Sequence, residues 1–331
     1  MAEPKLSISV AMCTYNGSQF LREQLTSIAA QVRLPDELVI CDDGSTDSTP
    51  QIVADFASSV AFPVRWIRNE VNLGSTKNFE KAIGLCTGDL IALSDQDDIW
   101  LPEKLARQAE MFELDPALGG VFSDAELIDD KSQPIGKRLW PGFDFTTREK
   151  RRFKQGGAVA VMLKRNVVTG ATLMIRSSLR SVFTPIADCW QHDGWIAWMA
   201  VIYSKLGLIE EPLIRYRIHA SQQIGVEAIA RSQTLTLRQR LARAKREEPP
   251  EQLSGAGQLE ILARRLATTH DQKSDAVRPA LRQKSRFLVN RGKPCTNRAI
   301  RAMSIMWNKR NYELYGAGWK ELLRDIAILF A

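Results

Sequence analysis

The chain has 331 residues, a formal net charge of +7 and an apolar fraction of 44%, which allows one large domain with a sizeable core and an appendage. Its five cysteines, at 13, 41, 86, 189 and 295, are scattered without a C-x-x-C pair, which argues against a disulfide framework or a zinc site and for a reducing compartment. The longest apolar runs, such as 195–203, fall far short of the roughly 20 residues of a membrane helix, and the acidic start lacks the apolar core of a signal peptide.

Leu6 to Met12 reads as a buried strand that ends in Cys13-Thr14-Tyr15-Asn16-Gly17, turn chemistry that exposes backbone amides and a tyrosine. Leu21, Leu25, Ile28 and Ala29 have helical spacing, and Pro35 closes the connection to a strand over Leu38 to Cys41. That strand runs into Asp42-Asp43-Gly44-Ser45-Thr46-Asp47-Ser48, followed by a helix bearing Ile52, Val53 and Phe56. Val64 to Ile67 is a third strand. Asn72-Leu73-Gly74-Ser75 then leads into a helix with Phe79, Ala82, Ile83 and Cys86, and Gly88-Asp89 turns into the apolar run Leu90 to Leu93.

Directly after that run come Ser94-Asp95-Gln96-Asp97-Asp98-Ile99-Trp100, three carboxylates in four positions where a strand leaves the core. Like charges this close raise one another's pKa unless a cation or several donors hold them ionised. Strand-like alternation points Asp95 and Asp97 the same way. Magnesium binds through one or two carboxylates plus substrate phosphates, so the pattern suggests a site for a metal and a diphosphate together. The other reading is an acidic turn that caps a helix starting near Pro102. Strand–helix alternation implies an open, mostly parallel α/β sheet in which ligands bind beyond the carboxyl ends of the strands. Thr14 and Tyr15, Asp42 and Asp43, and Asp95 and Asp97 therefore converge on one edge. Neither G-x-G-x-x-G nor a P-loop pattern occurs. An aspartate at the second strand's end suits a nucleobase N–H or a ribose hydroxyl, and Tyr15 offers a flat face to a base; helix capping is the alternative for Asp43.

The series T-Y-N-G (14–17), C-D-D-G-S-T-D-S-T (41–49), N-L-G (72–74) and S-D-Q-D-D-I-W (94–100) resembles the family 2 inverting glycosyltransferases of the GT-A fold. The resemblance covers about residues 6–225. It implies an enzyme that moves a sugar from a nucleotide diphosphate donor to a hydroxyl acceptor with a divalent cation, Mg or Mn. It further implies that Tyr15 stacks near the base, Asp43 binds it, Asp95 faces the ribose or diphosphate, Asp97 holds the metal and Lys77 contacts the donor.

Gly119 to Ser123 and Ala125 to Ile128 read as short strands. Lys137 to Lys154 is basic and aromatic, either a segment that moves over a bound donor or a packed surface loop. Thr169 to Arg176 resembles the family's strand at the floor of the acceptor side, with Gly170 allowing close approach of a sugar. In Gln191-His192-Asp193-Gly194-Trp195, Asp193 matches the family's catalytic base, the group that takes the acceptor hydroxyl's proton. A helix N-cap is its alternative or additional role. His192 and Trp195 are the expected acceptor contacts. Tyr216-Arg217-Ile218-His219 resembles a subset that includes bacterial rhamnosyltransferases, which implies His219 at the metal or diphosphate and Arg217 against the leaving group's charge. The donor expected on this analogy is dTDP-rhamnose or a UDP-sugar.

Residues 1–225 hold 24 Lys and Arg against 28 Asp and Glu, whereas 226–331 hold 21 against 10. The basic second part reads as a mainly helical C-terminal extension, with helices over 228–246, 259–267, 277–288, 299–312 and 319–330 and a Gly-bearing linker after Pro250. It suits an anionic membrane surface or packing on the catalytic domain. Two rival functions are a nucleotidyltransferase, which lacks its Gly-rich loop here, and a nucleic-acid-binding module suggested by the basic tail alone. The expectation is a cytoplasmic enzyme, peripheral on the inner membrane face, that works on a glycan or lipid-linked acceptor in bacterial surface polysaccharide synthesis and binds no nucleic acid.

Overall fold

The computed structural model describes residues 5–219, 250–269, 271–292, 304–305, 308–316, 322 and 325. The chain divides into two compact units, one of residues 1–147 with 167–227 and one of 148–166 with 228–331.

In the first unit, β1 (Ile8–Thr14), β2 (Glu37–Asp42), β3 (Val64–Arg68) and β4 (Leu90–Ser94) are separated by α1 (Leu21–Ala29), α2 (Thr49–Ala57) and α3 (Ser75–Leu85). All residues of β2 and β4 are buried, as both faces of a parallel strand between helices must be. β3 lies at the sheet edge with Arg65, Trp66 and Arg68 exposed, and charge on an edge strand discourages further pairing. The helices bury the expected stripes, except that Ala29 and Phe56 are half-buried and the polar Gln24 and Asn78 join the buried faces.

Further on come β5 (Ile99–Trp100), α4 (Lys104–Leu114), β6 (Leu118–Ile128), β7 (Pro134–Arg138), β8 (Leu173–Arg176), α5 (His192–Tyr203) and β9 (Lys205–Arg217). The sheet runs β3-β2-β1-β4-β8-β6-β9-β5, with β7 on β6. Pairing is parallel from β3 to β4 and between β6 and β9, while β8 runs antiparallel to both neighbours. The two short strands expected around 119–128 are one strand with an irregularity at Asp124, whose carboxylate accepts the N–H groups of Ala125 and Trp140. Of the two readings of 137–154, a segment that moves over a donor or a packed loop, Trp140 fits the packed one: it is 1% exposed and packs edge-on against Phe145. Thr169 to Arg176 begins as a 3-10 turn over Gly170–Thr172 before β8.

In the second unit, helices cover Pro250–Ala267, Gln272–Gly292 and Lys309–Tyr315. The expected linker after Pro250 is helical, as a proline in a first helical turn permits. Leu262, Leu266, Leu281 and Phe287 are buried. Arg291 pairs with Asp325 at 2.6 Å, and Tyr312 Oη donates to the same carboxylate. The expected helices over 228–246 and 319–330 lie outside the described residues, apart from positions 322 and 325. Among the described residues no helix is long and apolar enough to cross a membrane.

Candidate active site

Register sets the site. Thr14 pairs with Asp42 and Met12 with Ser94, so the loops that begin at Tyr15, Asp43 and Asp95 leave the sheet side by side. Thr14 Oγ1 donates to Asp42 Oδ1 at 2.8 Å and Ser45 N donates to Asp42 Oδ2 at 2.9 Å. Both Thr14 and Asp42, at the edge where a ligand is expected, are buried and knit the loops together. A side chain that the sequence reading passed over, Gln96, accepts from Tyr15 N at 2.8 Å and donates to Tyr15 O at 3.1 Å. The amide holds the tyrosine's backbone while its ring stays half exposed.

Asp43 sits in a cradle. Its carboxylate accepts from Asn69 Nδ2, Leu73 N and Gly74 N at 2.7–2.8 Å, and Asn72 Nδ2 donates to its main-chain oxygen at 3.1 Å. Gly74 has φ 76° and ψ 158°, a conformation essentially confined to glycine, which is the physical reason for N-L-G at 72–74. Together with Tyr15, Arg68, Glu70 and Asn72, Asp43 lines a cleft of about 580 Å³, a volume in the range of small-molecule sites.

Asp97 and His219 meet, with Oδ2 and Nε2 2.8 Å apart and both side chains mostly buried. The His219 ring lies 4.8 Å from that of Phe20. A carboxylate oxygen and an imidazole nitrogen are suitable donors for a divalent cation. Among the described residues no group of three or more His, Cys, Asp or Glu forms a closed cage. An ion that takes most of its ligands from water and substrate phosphates needs no such cage, so the pair fits Mg or Mn.

Arg217 does not face this opening. It is fully buried, with Nε donating to Asp97 O at 2.6 Å, Nη1 to Ser132 Oγ at 2.9 Å and Nη2 to Glu23 Oε2 at 2.6 Å. Its expected contact with the leaving group is corrected to a brace behind Asp97, because its forked donors are already spent on protein. Lys77 is likewise engaged, by Glu80, Ile186 O and Asp188. These contacts tie α3 to the 186–188 loop, with the Lys77 side chain 36% exposed.

Asp193 lies in the first turn of α5, where a carboxylate is favoured by the helix dipole. Its Oδ2 accepts from Gly170 N at 3.2 Å and its Oδ1 from Gly194 N. His192 stacks on Phe79 with ring centroids 3.9 Å apart, and burial lowers its pKa, partly offset by Asp193. A Cβ on Gly170 would lie 2.7 Å from His192 Nε2. The glycine therefore makes room for the histidine, rather than for a sugar as expected. Trp195 is 1% exposed and its Nε1 donates to Phe183 O at 2.7 Å. It supports α5 from within, which corrects its reading as an acceptor contact.

The carboxylates share one field. Asp95 is pushed up to about 8 by burial, then by the charges of Asp97 and Asp193. The Cys13 thiol, raised first by burial and then by Cys41, also feels both Asp95 and Asp43. Asp95, Asp97 and Asp193 lie within electrostatic reach of one another, and the loop of Asp43 leaves the sheet beside that of Asp95.

Residues 9–183 match the profile of Glycosyl transferase family 2. The chain belongs to that family. An uncharacterized glycosyltransferase of Nostoc is 26% identical to this family 2 chain over 69% of its length and 70% of its own. An uncharacterized protein of Mycobacterium tuberculosis is 32% identical over 64% of the family 2 chain, and the matched part spans 59% of that relative. In fold it resembles Staphylococcus aureus TarS 1–349 in complex with UDP-GlcNAc, with a TM-score of 0.58, 14% identity and coverage of 94% and 82% of the two chains. It also resembles a mannosyltransferase of Pyrobaculum calidifontis in complex with GDP-Man and Mn2+, with a TM-score of 0.53, 18% identity and coverage of 99% and 88%.

Proposed function

We propose that this glycosyltransferase is inverting and metal-dependent, and that it moves a sugar from a nucleoside diphosphate to a hydroxyl of a glycan or lipid-linked acceptor. The observation that carries the reading is the convergence of Asp193 with Asp95 and the Asp97–His219 pair at one rim of the sheet. Asp43 and Tyr15 take the base, Asp95 the ribose or diphosphate, and Asp97 with His219 the cation. A bound cation would neutralise the diphosphate's charge. Asp193, held by two main-chain N–H groups, accepts the acceptor hydroxyl's proton as the oxygen bonds to the anomeric carbon and the bond to the diphosphate breaks. His192 lies beside that carboxylate and shapes the acceptor side.

Residues 1–225 are the proposed catalytic region and the basic 226–331 its extension. Surface polysaccharide synthesis at the cytoplasmic face of a bacterial membrane, with the extension on anionic lipid, is the setting we favour. It rests on the excess of Lys and Arg beyond residue 225. The resemblance of Y-R-x-H at 216–219 supports a rhamnosyl donor.

Asp193→Asn tests the chemistry. The variant is expected to fold, to bind donor nucleotide with unchanged affinity and to transfer no sugar. Full turnover would remove Asp193 as the base.

A further inference from the structure

Resting on the reading that the cleft at Tyr15 and Asp43 takes the donor's base and the Asp97–His219 pair the cation, we propose that Gln96 is a positioning residue that couples the two sites, so that a ligand in the cleft tightens the hold on the cation. Gln96 stands between Asp95 and Asp97 in the chain, yet its amide turns to the first loop. Oε1 accepts from Tyr15 N at 2.8 Å and Nε2 donates to Tyr15 O at 3.1 Å. An acceptor and a donor side by side in one plane are what a carboxamide offers, and the two main-chain groups fix which end of the amide is which. Among the described residues the amide has no other partner.

The rest of the first loop is bonded elsewhere. Asn16 N donates to Ser45 Oγ at 2.9 Å, Thr46 N to Asn16 Oδ1 at 2.8 Å and Ser18 N to Asp47 Oδ2 at 2.9 Å, all with the loop after β2. Beyond the ladder of β1 and β4, no other hydrogen bond joins residues 15–18 to 95–98 among the described residues. Gly17 covers the clamp from outside: a Cβ there would lie 2.2 Å from Gln96 Oε1 and 2.6 Å from its Cδ. The φ of Gly17 is not positive, so it is the close approach of the amide that asks for glycine. The Tyr15 ring is half exposed and lines the cleft with Asp43. A ligand that holds Tyr15 therefore holds Gln96, and with it the carboxylates on either side. The ordering cost met by the first ligand is not met again by the second, and such coupling runs equally in both directions.

A nucleoside has no diphosphate to bridge to the cation, so its effect on Mn2+ affinity has to pass through the protein. Electron paramagnetic resonance of free Mn2+ gives the Kd of the ion on the full chain, alone and with a saturating amount of whichever of uridine, thymidine, cytidine, adenosine and guanosine binds. The unaltered protein is expected to bind Mn2+ at least about fivefold more tightly with the nucleoside than without it. Gln96→Leu keeps the bulk and loses both hydrogen bonds, and Gly17→Ala pushes the amide aside without altering the acidic loop. Both are expected to bring the ratio of the two Kd values to about one. A residue that only supports the fold would lower both affinities or the Tm and leave that ratio unchanged, and an unchanged ratio in the two variants overturns the inference. A ratio of about one in the unaltered protein, with both ligands bound, also overturns it and leaves the base and cation sites standing. Folded protein that does not bind Mn2+, or binds none of the five nucleosides, overturns the coupling and the reading it rests on together.

Discussion

Arg217 and Asp97 are tied through both ends of the aspartate. The guanidinium Nε donates to the main-chain oxygen of Asp97 at 2.6 Å, while Asp97 Oδ2 meets His219, two residues beyond Arg217, at 2.8 Å. Arg217 N also donates to Asp98 Oδ1 at 3.0 Å. The end of β9 and the acidic loop after β4 are therefore one unit, braced from α1 by Glu23.

Replacing Arg217 by Met leaves the main-chain oxygens of Asp97 and Asp129 and the Ser132 hydroxyl short of a donor, and chemical denaturation is expected to show a loss of about 3 kcal/mol, as when buried acceptors are stranded. Arg217→Lys keeps the charge but cannot span the fork of acceptors. It should weaken Mn-dependent nucleotide binding about tenfold, by letting the Asp97–His219 pair drift. Wild-type affinity for Mn2+ and nucleotide in the Lys variant would limit Arg217 to holding the fold.

Gly170→Ala probes the other side of the site. Its Cβ would come within 2.7 Å of His192 Nε2 and 3.4 Å of Asp193 Cβ, and His192 cannot withdraw because it already stacks on Phe79. Displacing Asp193 by a fraction of an ångström to an ångström should lower kcat on the order of a hundredfold with little change in donor affinity. A kcat within twofold of the unaltered protein would show that the acceptor side tolerates the shift.

Much of this rim was legible because each strand is an apolar run and each loop begins with acids: 90–93 then Asp95, 38–41 then Asp43. The residues that hold those acids were harder to read. Asn69, which donates to Asp43, and Gln96, which clamps the neighbouring Tyr15, are amides whose partners lie on other loops, and nothing in their local spacing announces a clamp. Arg217 ends β9 and reads in sequence like a solvent-facing cation, yet its partner Glu23 is 194 residues away. The antiparallel place of β8 between β4 and β6 was also hidden, since strand order depends on long-range pairing rather than on periodicity within a strand.

The proposed cation would take two side-chain donors among the described residues, Asp97 and His219, and the rest from substrate and water. Chelation is expected to abolish transfer, and Mn2+ or Mg2+ to restore it. Asp97→Ala should weaken cation-dependent nucleotide binding at least about tenfold and His219→Ala by less, because magnesium-type ions favour oxygen ligands. Calorimetric titration of nucleotide with and without the ion measures both. Identical isotherms for Asp97→Ala and the unaltered protein would place the cation elsewhere.

Lys104 opens α4 fully buried, 3.9 Å from the centre of the Trp100 ring, and its Nζ has no hydrogen-bond partner among the described residues. Burial lowers its pKa to about 7, against a smaller upward pull from Asp98. In the unfolded chain a lysine titrates near about 10.4. Between these two values the unfolded state holds more protons than the folded one, so this group makes stability rise with pH, and its full cost is present below about 7. Lys104→Met removes a buried cation and keeps the side chain's length. It is expected to stabilise the protein by about 1–4 kcal/mol at neutral pH, less whatever the contact with Trp100 contributes. The advantage should shrink as pH is raised towards 10, where the wild-type lysine is neutral in both states. Denaturation midpoints at pH 7 and pH 9.5 give the comparison. A destabilised variant, or an advantage that grows with pH, would mean that the ammonium is paired with Asp98 in solution and that the pair supports the acidic loop.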